Sequence, residues 1–128
     1  MAAITTSRIW IGLSSGNLRG ADTPTQHLAA FRYSTGVPDT NWQACTNDNV
    51  GAPTCTDTGI PAFANNVRTF RIDLTASSAR FYMSGSLVAT RTTDLPGSTT
   101  ILDPQAQVTT LDNVTRTLNL GWMTLDHQ

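Results

Sequence analysis

The residues able to do chemistry in this chain are few and scattered. His27 and His127 are its two imidazoles, Cys45 and Cys55 its two thiols, and all nine acids are aspartates. Hydrolysis of a glycosidic bond needs two carboxyls held a few ångströms apart on either side of it, an arrangement strands supply from alternate positions. The sequence contains no Glu and no Asp-x-Asp pair on any predicted strand, which argues against that reaction. Neither His has a Ser or Cys nucleophile beside it in sequence, and a penultimate His commonly frays, so surface or structural roles are expected for both. A zinc centre takes three or four His, Cys or carboxylate ligands, and two Cys with two distant His give no such spacing. The chain is therefore expected to be no enzyme and to hold no cofactor or metal ion.

Cys45 and Cys55 lie symmetrically about Val50. If a hairpin turns there, they become cross-strand neighbours at a Cα separation of about 4.5 to 5.5 Å, within the range of a disulfide. Two free thiols are the alternative, and the redox compartment decides between them. Trp10, Trp42 and Trp122, with Tyr33 and Tyr82, could stack on a sugar if exposed on a concave face. Trp10 and Trp122 sit among alternating apolar residues and read as core, whereas Trp42, between Asn41 and Gln43, is the best candidate for ligand stacking. Asn113-Val-Thr115 has the form of a glycosylation sequon, relevant only on a eukaryotic secretory route.

The elements that would position these groups are strands. All eight bases are Arg, so Lys and Glu, two of the usual residues of helix surfaces, are both missing. Thr, Ser, Asn and Gly stand in their place, and these favour strands and turns. The net charge of −1 and the dispersed Arg residues argue against a nucleic-acid surface, which needs a clustered basic face. No apolar run approaches the roughly 18 residues of a membrane span, and the first residues show no basic region followed by an apolar one, so no secretory signal is read. With 39% apolar and 13% charged residues, the 128 residues are expected to form one soluble globular domain, 1–128.

Residues 8–13 are apolar on both faces, as in a central strand buried from both sides. Residues 27–35 place Ala29, Phe31 and Tyr33 on one face and Leu28, Ala30 and Arg32 on the other. Residues 41–46 and 54–60 flank a turn-rich centre. Residues 67–75 have the cleanest period of two, with Phe70, Ile72 and Leu74 opposite Thr69, Arg71 and Asp73. Ser84-Gly85-Ser86 joins 79–83 to 87–91 in a tight hairpin, 101–110 is a weaker strand interrupted by Pro104, and 115–125 closes the chain with Leu118, Leu120 and Trp122 in alternation. Eight or so strands separated by turns predict an all-β antiparallel sandwich.

Phe81-Tyr-Met-Ser-Gly-Ser-Leu-Val-Ala-Thr90 followed by Asp94-Leu-Pro96, together with Arg8-Ile-Trp-Ile-Gly12 and Ala30-Phe-Arg-Tyr33, resembles the concanavalin A-like or laminin G-like jelly rolls of bacteriophage virion and microbial surface proteins. The resemblance implies a jelly-roll fold. It also brings calcium into consideration, with Asn47, Asp48, Asn49, Asp57 and Asp22 as the loop oxygens, although turns use such residues for their own backbone bonds. That class commonly has a further N-terminal portion, and its lack would leave a sheet edge or part of an inner face uncovered. The resemblance thus implies a non-catalytic structural or decoration protein of a virion or other extracellular assembly. Its partners would be copies of itself or a larger capsid-shell protein, with no nucleic acid and no membrane. The alternative is a lectin-like carbohydrate-binding module or adhesin that contacts glycan through Trp42.

Overall fold

The computed structural model describes residues 4–64, 66–121 and 123–125. Eight strands follow one another: β1 (Ser7–Ser14), β2 (His27–Ser34), β3 (Asn41–Asp48), β4 (Thr54–Pro61), β5 (Phe70–Leu74), β6 (Ala79–Met83), β7 (Ser86–Arg91) and β8 (Asp103–Thr110). There is no helix among the described residues. The strands form a five-stranded sheet, in the order β4-β3-β2-β1-β8, and a three-stranded sheet, β5-β6-β7, with every pairing antiparallel. The chain thus lays down a four-strand meander, crosses to the second layer for three strands, and returns to pair β8 with β1.

Pairing register sets what faces inward, because residues directly opposite one another share a face. One inner row of the large sheet runs Thr56, Ala44, Phe31, Ile11, Ala106. A second brings Tyr33, Ile9 and Val108 side by side. From the small sheet, the row Ile72, Phe81, Ala89 and the pair Phe70, Met83 come down onto them. Phe31 meets Phe70 and Phe81 edge to face, with ring centroids 5.0 and 5.1 Å away, and Trp42 meets Phe70 at 4.9 Å. Such geometry sets positive ring edges against negative ring faces and adds to the burial of apolar area. The predicted inward set Phe70, Ile72 and Leu74 packs against this core.

The large sheet buries its other face as well. Trp10, Leu28, Ala30 and Cys45 form a second apolar cluster there, closed by Leu18 from the loop between β1 and β2. This is why β1 and β2 are apolar in both phases. The β6–β7 turn is two residues long, and Ser84 and Gly85 both take positive φ, as a type I′ hairpin requires.

Two sequence expectations change. The strand predicted over 67–75 begins only at Phe70, and Val67 is 95% exposed. No strand forms over 115–121 or 123–125, and Leu120 is 56% exposed. Alternation reports fitness for a pleated surface, whereas a strand also needs a neighbour to receive its hydrogen bonds.

Among the glycines the closest backbone approach lies at Gly12, where an added Cβ would stand 2.5 Å from the Ala30 Cα and 2.6 Å from the Ala29 carbonyl oxygen. Both obstacles are on or next to the backbone, so β1 and β2 would have to part. Gly12→Ala is expected to cost about 1 to 3 kcal/mol, read as a lower urea midpoint with an unchanged denaturant slope.

Candidate functional site

Contacts between the layers run from β2 to β5 and from β3 and β4 to β7. The small sheet therefore stands over the β2-β3-β4 half of the large one, and β1 and β8 project beyond it. An open groove runs from this shelf past the outer edge of β5, part of a larger depression of about 2260 Å³ that Arg71, Arg80 and Tyr82 of the small sheet's other face also line. Ile9, Ile11 and Val108 are on its floor, and Phe70, Ile72 and Leu74 are on its wall. Residues 116–121 and 123–125 also line it. Their root is clamped: the Arg116 guanidinium donates to the Asp112 carboxylate at 2.6 and 3.1 Å and to Thr6 Oγ1 at 2.5 Å, and Thr6 Oγ1 donates to Asp112 at 2.6 Å. Above all the hydrogen bond from Arg116 holds the Asp112 carboxyl well below the usual carboxylate range. Leu118 then packs onto the main core, while Leu120, Met123 and Leu125 remain 56, 42 and 58% exposed.

The outer face of the large sheet is built from charges instead. Arg8 Nε donates to Asp22 Oδ1 at 2.7 Å, and Ser34 Oγ donates to the same oxygen. Arg32 makes a forked pair with Asp39 at 2.9 and 3.0 Å and donates to the Asp22 carbonyl at 3.1 Å, its guanidinium 5.9 Å above the Trp10 ring. Trp10 Nε1 donates to the Ala21 carbonyl at 3.0 Å. Gln105 donates to the Gly16 carbonyl and accepts from the Leu18 amide, and Gln107 donates to Asn17. Together these bonds hold the loop over residues 15–26 down as a cover. The ion pairs span seven and fourteen residues and follow no periodicity, so the sequence carries no sign of them.

A third arrangement ties the layers at their far side. The small sheet's inner row Leu74, Ala79, Arg91 brings Arg91 over β3 and β4. Its guanidinium donates to Thr46 Oγ1 at 3.2 Å, to Thr56 Oγ1 at 3.0 Å and to Thr54 Oγ1, while Thr54 Oγ1 donates to Asp94 at 2.7 Å.

The residues singled out in the sequence separate. Cys45 and Cys55 are register partners, joined by a disulfide at a Cα separation of 4.1 Å. Trp42 is 5% exposed in the main core, which overturns its role as a stacking platform. Its polar neighbours already held the sign, because residues flanking an inward position on a strand point outward. Trp10 lies in the outer-face cluster, and the Tyr33 hydroxyl donates to the Ile4 carbonyl at 3.1 Å. Tyr82 carries the Arg71 guanidinium 5.0 Å from its ring centre. His27 Nδ1 accepts from the Gly97 amide at 3.1 Å and so steadies a turn. Trp122 and His127 lie outside the described residues.

Of the loop residues considered for calcium, Asp48 and Asp57 serve their own turns, while Asn47 Oδ1 is buried without a partner among the described residues. Asp48 accepts from the Val50 amide and Asp57 from the Gly59 amide, Asn41 and Gln43. Asn47 donates to the Gly51 and Pro24 carbonyls, and Asp22 is taken by Arg8 and Ser34.

No protein-family model matches the chain, and no curated protein matches it in sequence.

Two measurements test these arrangements. Reduction of the Cys45–Cys55 bridge is expected to lower stability by about 2 to 3 kcal/mol on the chain-entropy account of a short closed loop, read as a drop in urea midpoint on adding reductant. The hydrogen bond from Arg8, aided by that of Ser34 and by the charges of Arg8 and Arg32, holds the Asp22 carboxyl below its ordinary 3.8 against the opposing effect of burial. A depressed folded pKa gives stability that is complete above the unfolded value and is lost as pH falls through the folded one. Melting temperature should therefore fall below about pH 4, and Asp22→Asn, less stable at neutral pH, should show a shallower acid decline.

Proposed function

We propose that this chain is a non-catalytic structural or decoration component of a virion or comparable extracellular assembly, a concanavalin A-like or laminin G-like jelly roll working through contacts with its own copies or with a larger shell protein. The observation that carries this reading is the mismatch between the two layers. Three strands stand over five, so the inner face of β1 and β8 looks into a groove of mixed lining whose floor and inner wall are apolar. Exposed Val67, Ile101, Leu120, Met123 and Leu125 accompany it. Apolar surface gathered in this way is characteristic of a contact region.

The charged groups support the same reading. Arg8, Arg32, Arg71 and Arg116 are each paired with an aspartate of this chain, which leaves them poorly placed to neutralise phosphate. Asp48 and Asp57 are engaged by turn amides and Asp94 by Thr54, an arrangement suited to bracing loops rather than transferring protons. The cross-strand disulfide is of a kind that persists in oxidising surroundings, in favour of a place outside a reducing cytoplasm. With Trp42 in the core, the lectin-like reading loses the residue on which it stood.

Light scattering of the purified chain at micromolar concentration is expected to give a mass at least twice the 13.8 kDa of one copy. A monomer that binds immobilised glycans would overturn the proposal in favour of a carbohydrate-binding module.

A further inference from the structure

Among the described residues, this chain carries an open strand position and a stretch of strand-like sequence that joins no sheet. The position is the outer edge of β5. That strand ends its sheet and, among the described residues, pairs with β6 alone, so one side of its backbone has no ladder. The segment is 117–125, Thr-Leu-Asn-Leu-Gly-Trp-Met-Thr-Leu, nine residues without a charge or a proline. Edge strands are ordinarily defended by charge, proline or cover, and a neutral apolar stretch of this length left in water invites pairing with another chain. We infer that residues 119–125 of one copy bind as an added strand along the β5 edge of a second copy, so that this groove is the joint between copies. This inference rests on the self-assembly reading above and names its surface.

Sterics limit what can enter the groove. β1 and β8 extend past β5 by two strands, roughly 10 Å at the usual spacing. A second sandwich laid edge to edge against β5 would bring its own large sheet into this shelf. A segment with no sheet beneath it fits, and residues 117–121 and 123–125, which pair in no sheet, have that character.

The occupant follows from the state of that arm on its own chain. Pinned at Asp112, Arg116 and Thr6 and anchored by Leu118, residues 117–121 and 123–125 of the arm line their own groove but form no strand there. Among the described residues the arm's backbone makes no ladder with β5, and Leu120, Met123 and Leu125 are left substantially in water. On a second copy, the arm's alternate residues would settle over Ile9, Ile11 and Val108 while its backbone pairs with Phe70–Leu74. Arg68 Nε, which lies in the groove wall, is buried without an acceptor among the described residues, and a carbonyl of the incoming strand would supply one. Each copy offers one donor arm and one acceptor edge, the composition that reciprocal exchange about a two-fold axis requires.

The test uses the full chain. Leu120→Asp combined with Leu125→Asp changes two exposed positions and leaves Leu118 in place, so the fold is expected to survive, with an unchanged far-ultraviolet spectrum. Self-association measured by sedimentation should weaken at least about a hundredfold. In a second variant, Arg71→Cys and Asn119→Cys place a thiol on β5 and one on the arm. Oxidation of it should give a covalent dimer by mass under denaturing, non-reducing conditions. A bond within one chain, or none, would overturn the inference. So would association of the double-Asp variant as tight as that of the unaltered chain, which leaves self-assembly standing through another surface. An unaltered chain that stays monomeric would sink both.

Discussion

A sheet of three strands cannot cover the inner face of a sheet of five, and most of this molecule is arranged around that shortfall. Where the layers overlap, the interior is filled by interlocking aromatic rings of Phe31, Phe70, Phe81 and Trp42, with Ala29, Ala44, Ala79 and Ala89 between them. Small residues beside large ones let two twisted sheets approach without leaving voids. Where the layers do not overlap, the same inward phase of β1 and β8 continues beyond the small sheet. Ile9 is buried there at the margin of the core, whereas Ile11 and Val108 point inward by their register but are only partly covered.

The opposite face solves a similar problem by other means. A loop rather than a sheet covers Trp10, Leu28, Ala30 and Cys45, and a loop has little apolar surface to offer. Leu18 supplies one apolar plug, and the rest is held by directed bonds from Arg8, Arg32, Gln105 and Gln107. Arginine suits this use because its planar fork can meet a carboxylate through two bonds at once, as Arg32 does with Asp39. The sandwich is therefore dispersive on its inside and polar at its outer cover, and the groove lies beside the first of these regions.

Much of the fold was legible because register and period agree over β2, β5, β6 and β7. Ala29, Phe31 and Tyr33 alternate with Leu28, Ala30 and Arg32 in sequence and face opposite layers in space. Cys45 and Cys55 were readable as partners since the turn between them is local. The residues that failed had local signals with non-local answers. Leu118 and Leu120 have the right spacing for a strand, but whether a ladder is on offer depends on a layer whose extent no window of sequence reports. The candidate site was less legible still, because a groove arises from the difference between two strand counts and belongs to no residue in particular.

The clasp at Arg91 differs in kind from the bonds around Arg8 and Arg32. Three threonine hydroxyls receive its guanidinium, and hydroxyls do not titrate in water's ordinary acid range. The outer cover instead leans in part on the Asp22 carboxylate, which Arg8 and Ser34 hold below its ordinary pKa. The two attachments therefore differ in their response to acid: the tie from Asp22 weakens only as pH falls below about 4, while the bonds from Arg91 to the threonines carry no group that acid would neutralise. Strong acid would thus slacken one fastening of the 15–26 cover before it touches the attachment of β7 to β3 and β4.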